Sequence, residues 1–218
     1  DTIRHAANGS TVSFIMEPDF LAYMMQRTYS TAGQAGPETI SLGYDVVQLA
    51  KAKGIIAADS TLTGGAGATL VDFVKVVNEA ARHLSTKAGT TERVNLQLGW
   101  KFNLWANQAQ SAPDGGSWDR GISKVTDYFI AHPKPGETQS DAFNRGQAFI
   151  DTIAIQTARW YFSAGVTSAG MDFMALDKYG TDGGNPYNVS QTTPGYTDPV
   201  GTRWLFNADH WTNYLRYA

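Results

Sequence analysis

Val12-Ser13-Phe14-Ile15-Met16-Glu17-Pro18-Asp19-Phe20 is the stretch that decides how the rest of the chain reads. An apolar run from Val12 to Met16 follows Asn-Gly-Ser-Thr and ends in Glu-Pro-Asp. That predicts a buried strand with acids at its carboxyl end. Two later stretches follow the same grammar. Val94 to Leu98 alternates apolar and polar residues and runs into Gly99-Trp100-Lys101-Phe102-Asn103-Leu104-Trp105. Gly170 to Leu176 reads as a third buried strand and opens into Asp177-Lys178-Tyr179-Gly180-Thr181-Asp182. A shorter run, Ile55 to Ala58, is a candidate fourth strand.

Helical spacing fills the intervals. Apolar positions from Thr39 to Lys53 predict a helix stopped by Gly54. Thr69 with Asp72 three residues on predicts a capping box opening a helix from Leu70 to Leu84. Ser140 to Ser163 reads as one long helix with Phe143, Phe149, Ile150, Ile153, Thr157 and Trp160 inward, and Asn207 to Tyr217 as a last one. The segment Ala109 to Arg120, rich in Pro, Asp, Gly and Ser, is a loop.

Strand, polar exit, loop and helix in repetition predict an α/β fold of parallel βα units, TIM-barrel-like. Residues 1–218 read as one barrel-like catalytic domain. A closed barrel takes eight such units and about 250 residues. Three clear strands in 218 residues therefore imply a partial or fragmentary barrel, or a reduced barrel that a second copy completes as a homo-oligomer. In such folds functional residues gather at the carboxyl ends of the strands. Glu17, Asp19, Trp100, Asn103, Trp105, Asp177 and Asp182 all fall there.

Composition narrows the partners. Seventeen basic against twenty acidic residues, net charge −3, form no basic stripe able to neutralise a phosphate backbone, so no nucleic acid is expected. No apolar stretch approaches the ~20 residues of a membrane span, and the N-terminus lacks the basic and apolar regions of a signal peptide. The chain as given is expected to be soluble, mature or trimmed. Cysteine is absent, which removes disulfides, thiolate metal sites and cysteine nucleophiles. His5, His83, His132 and His210 have no metal-ligand spacing, so neither metal nor cofactor is expected. Gly64 to Gly67 lacks the residues of a phosphate-binding loop, and no nucleophile elbow is present. Aromatic residues make up 12% of the chain, with six Trp and ten Tyr; such rings suit the apolar faces of sugars.

Glycosidic hydrolysis needs an acid to protonate the leaving oxygen and a second carboxylate as base or nucleophile. Glu17, Asp19 and Asp177 are the candidates. Pro18 disfavours a helical conformation at Glu17 and fixes its own φ, and two neighbouring carboxylates repel, which favours keeping one protonated. The structural alternative has Asp19 capping a helix from Phe20 while Glu17 pairs with Lys101 or Arg27. Asp182-Gly183-Gly184 reads first as a turn, with Asp182 retained as a candidate sugar contact.

Phe14-Ile15-Met16-Glu17-Pro18-Asp19-Phe20-Leu21 resembles the apolar-run-then-Glu-Pro-Asp-x-Leu signature of family 6 glycoside hydrolases, inverting cellulases with a barrel fold. The resemblance implies that Asp19 is the general acid. Leu96 to Trp105 occupies a place comparable to a family strand that ends in substrate-stacking aromatics, without the family's Asp-Ala-Gly-His. Retaining barrel hydrolases instead end a strand in Asn-Glu-Pro, which would make Glu17 catalytic, with Met16 where their Asn stands. A carboxyl separation of ~6.5–9.5 Å goes with inversion and ~5–5.5 Å with retention. The resulting expectation is a secreted or extracellular O-glycosyl hydrolase acting on a β-glucan-type polysaccharide. Asp19, Glu17 and Asp177 would be catalytic, and Trp100, Lys101, Asn103, Trp105, Lys178, Tyr179 and Asp182 would bind sugar. The alternative is a non-catalytic carbohydrate-binding protein or inactive relative on the same scaffold.

Overall fold

The computed structural model describes residues 11–16, 19–30, 33–85, 92, 94–103 and 129–177. Its elements in chain order are β1 (Thr11–Met16), α1 (Phe20–Arg27), β2 (Tyr29–Ser30), β3 (Gly33–Gln34), a 3₁₀ turn (Pro37–Thr39), α2 (Val46–Ala52), α3 (Leu70–Leu84), β4 (Asn95–Asn103), α4 (Gln139–Ser163) and β5 (Phe173–Asp177). This is a mixed α/β fold whose main sheet has three parallel strands in the order β1–β4–β5. The last helix expected from the sequence and the Ala109–Arg120 loop lie outside the described residues.

The chain divides into two compact units. The first comprises Asp1–Leu21, Ala35–Phe102 and Trp160–Leu176 and holds the parallel sheet. Strand β4 is its centre, and its alternation sets two faces. Leu96, Leu98, Trp100 and Phe102 are all buried. Phe102 stacks on Tyr161 with ring centroids 4.6 Å apart and meets Phe162 edge-on at 5.4 Å. The opposite face carries Asn95, Gln97, Gly99 and Lys101. There the β1–β4 register pairs Ser13 with Gln97 and Thr11 with Asn95, and both pairs are hydrogen-bonded through their side chains at 3.0 and 2.7 Å. Gly99 leaves room on this face for the Phe173 ring, which a Cβ there would force aside.

Helix α3 spans the predicted residues, and the Asp72 carboxylate accepts from both the amide and the hydroxyl of Thr69, at 2.8 and 3.2 Å. It packs on α2 in a core of Val46, Val47, Ala50, Ile56, Ala68 and Val76. Helix α2 is shorter than the expected 39–53. Gly43 takes a left-handed φ of +74°, and Asp45 then caps a new start by accepting from the Gln48 amide at 2.9 Å. Gly54, φ +65°, ends it as expected. The turn it makes consumes Ile55 to Ala58, which are not a strand. The amides of Ile55 and Ile56 donate back to Ala50 O, and Ile56 drops into the core.

Two strands differ from expectation in burial. Strand β1 leaves Phe14 and Ile15 41% and 47% exposed, because among the described residues it is the edge of the sheet, flanked by β4 alone. Strand β5 starts at Phe173 instead of Gly170, since Gly170 has φ +76°, and its residues 173–176 are half-buried.

The second unit comprises Ala22–Gln34, Asn103–Arg159 and Asp177–Ala218. Thr138 and Asp141 exchange hydrogen bonds at the start of α4. Arg145 lies over the Phe129 ring at 4.3 Å and donates twice to Glu137, at 2.8 and 2.7 Å. Those bonds, helped by the Lys134 amide, hold the Glu137 carboxyl down at about 2. In the same unit β2 and β3 form a two-stranded antiparallel ribbon, and the Gln34 amide reaches Met25 O and Thr28 Oγ1 at 3.0 Å each.

Candidate functional site

The carboxyl ends of the parallel strands are where the sequence places chemistry. Met16, the last residue of β1, pairs with Trp100, so Lys101 is the next residue of β4 beyond the ladder. Asp19 sits between β1 and α1, immediately before Phe20. Its carboxylate lies 3.9 Å from the Lys101 ammonium, with side chains 47% and 19% exposed. An ion pair at that distance and exposure contributes only ~0–1 kcal/mol to stability.

The other candidates divide three ways. Asn103 ends β4 and is fully buried. Asp177 is the last residue of β5; its side chain lies outside the described residues, as do Glu17, Trp105, Lys178, Tyr179 and Asp182. Trp100 does not stand at a strand exit. Strand β4 continues through it to Asn103, so the indole points to the helix-packed face, is 1% exposed, and donates its N–H to Asn78 Oδ1 at 2.7 Å. This corrects the expectation that Trp100 presents its ring to a sugar at the rim.

Residues the sequence did not flag dominate the amino ends of β4 and β5. Asn78, fully buried on α3, donates to Gly165 O, Val166 O, Ser168 O and Ser168 Oγ at 2.9 to 3.3 Å while accepting from Trp100. One turn on, Arg82 donates to Leu96 O at 2.7 Å, to Ala169 O and to Gly170 O, and pairs with Asp172 at 2.6 Å. Asp172 also accepts the Leu98 amide at 2.7 Å and returns its own amide to Leu98 O at 2.7 Å. The Leu98 amide first, and the Arg82 guanidinium second, hold the Asp172 carboxyl below the usual carboxylate range. The signal was an Asn and an Arg at i, i+4 on one helix, amid apolar positions.

On the same helix-packed side, an apolar cavity of about 500 Å³ opens between β1 and α3. Among the described residues no group of three His, Asp or Glu is placed to hold a metal ion, and no helix is long and apolar enough to cross a membrane.

A carboxylate and an ammonium at a strand exit offer an acceptor and three donors together, which suits hydroxyl-rich ligands that both donate and accept. They can also deliver or take a proton at a bound oxygen. Compared with protein families, curated proteins and solved structures, the chain matches none.

Proposed function

We propose that the protein is a secreted glycoside hydrolase, cleaving O-glycosidic bonds of a β-glucan-type polysaccharide by carboxylate general acid/base catalysis. The observation that carries this reading is the Asp19–Lys101 pair at the carboxyl side of two adjacent parallel strands. That is the position at which α/β folds collect their functional groups. Asp19 protonates the leaving oxygen. Lys101 orients its carboxylate and donates to sugar hydroxyls. Asp177, at the end of β5, is the second carboxylate, and Glu17 tunes Asp19 or replaces it. Asn103, Trp105, Lys178, Tyr179 and Asp182 contribute sugar contacts. The scaffold is a partial barrel of which β1, β4 and β5 are consecutive staves and which a second copy can complete.

A second reading, carbohydrate binding without turnover, is favoured by the same pair: an ammonium beside Asp19 engages the carboxylate that would have to carry the proton. Reducing-sugar release from a panel of β-glucans separates the two. The hydrolase reading expects release by the parent protein and a loss of ~10²–10⁴-fold in Asp19→Asn, with Glu17→Gln less affected. Binding of an oligosaccharide with no release from any glucan supports the second reading, and neither binding nor release overturns both.

A further inference from the structure

We propose that the cavity between β1 and α3 is a binding site for an uncharged, apolar small molecule, ring-bearing and of modest size. It is separate from the Asp19–Lys101 pair and independent of the hydrolase reading. Phe14 and Met16 of β1, Phe20 at the start of α1, and Phe73 and Val77 of α3 form its walls, with Trp100 behind them. At about 500 Å³ it lies within the ~300–1,000 Å³ range of small-molecule sites.

The lining decides the chemistry. Trp100 Nε1 is the one side-chain hydrogen-bonding group among these residues, and it is committed to Asn78 at 2.7 Å. A sugar or an ion placed there would lose its hydrogen bonds to water and gain none from the side chains. Water at the inner wall likewise finds few polar partners among the lining side chains. An apolar ring instead meets aromatic faces and edges at little desolvation cost.

The walls are also held in place before anything binds. Phe73 and Val77 stand one turn apart on α3, and the Phe73 ring packs on Phe20 at 5.2 Å, tilted by 47°. Trp100 is fixed by Asn78, itself tied by its amide to Gly165, Val166 and Ser168. A site built on a helix and a strand and held from behind loses little freedom on binding. Phe14, 41% exposed, is the wall through which a ligand enters.

The test uses the neutral fluorophore N-phenyl-1-naphthylamine, titrated into the folded protein. The expected result is saturable, one-site fluorescence enhancement. Val77→Trp, which fills the cavity from α3, should raise the dissociation constant at least tenfold with an unchanged circular-dichroism spectrum. Phe14→Ser, at a 41% exposed position, should raise it at least threefold with an unchanged circular-dichroism spectrum and serves as the readout where Val77→Trp does not fold. Absence of saturable binding overturns the proposal, and so does binding that the folded variants leave unchanged. It is equally overturned if the protein is a dimer that excludes the dye and Phe14→Lys makes it monomeric, because the cavity then belongs to an interface between two copies.

Discussion

The two ends of the β1–β4–β5 sheet are built in opposite ways. At the amino ends of β4 and β5, Asn78 reaches carbonyls 87 to 90 positions away at 3.0 to 3.3 Å, Arg82 donates to Leu96 O at 2.7 Å and pairs with Asp172 at 2.6 Å, and Asp172 accepts the Leu98 amide, 74 positions away, at 2.7 Å. At the carboxyl end, Asp19 and Lys101 meet at 3.9 Å with the acid half-exposed. The first arrangement fixes strand register and is costly to disturb. The second is a longer contact, with the Asp19 carboxylate about half exposed and the Lys101 side chain mostly buried. In (β/α) barrels conservation at the amino-terminal face reads as stability and at the carboxyl-terminal face as chemistry, and the proposed function assigns the two ends of this sheet in the same way.

The contrast breaks most visibly at Asn78. Asn78→Ala leaves the Trp100 N–H and three carbonyls to find other partners in the interior, and should cost ~3 kcal/mol or more of unfolding free energy, read by urea denaturation. A loss within 0.5 kcal/mol would mean that the network holds nothing together. Gly99→Ala should cost about 2 kcal/mol, because its Cβ must displace the Phe173 ring, and Phe173→Leu in the same chain should restore part of it. Smallest is a pH effect at Asp172. Its carboxyl is held low in the folded state, so its contribution is present above the unfolded value of about 3.9 and is lost as pH falls through the lowered folded value. Asp172→Asn should therefore flatten the loss of stability below about pH 4 in denaturation curves measured across pH.

Much of the fold was legible because its causes are local. Thr69 and Asp72 announce α3, the alternation from Asn95 announces β4, and Gly54 stops α2. The errors arise where one residue outweighs a pattern. Gly43 and Asp45 cut α2 short, Gly170 delays β5, and Ile55 to Ala58 are apolar because Ile56 fills the core behind a helix end. Glu-Pro-Asp singled out Asp19 as a candidate, and Lys101 was expected, as an alternative to Arg27, to pair with Glu17, whereas the structure sets it 3.9 Å from Asp19. The burial of Trp100 followed from how far β4 extends, which its aromatic surroundings do not reveal. Arg82 and Asp172 were illegible because their partners are set by tertiary contact across some 90 residues, for which no short motif exists.

The proposed function has Asp19 give the proton to the leaving oxygen. The direct measurement compares Asp19→Asn with the parent on a β-glucan and on the matching 2,4-dinitrophenyl glycoside, whose leaving group departs without protonation. If Asp19 is the proton donor, the loss is ~10²–10⁴-fold on the glucan and less than about tenfold on the dinitrophenyl substrate. Equal losses on both, or no loss on the glucan, would contradict it.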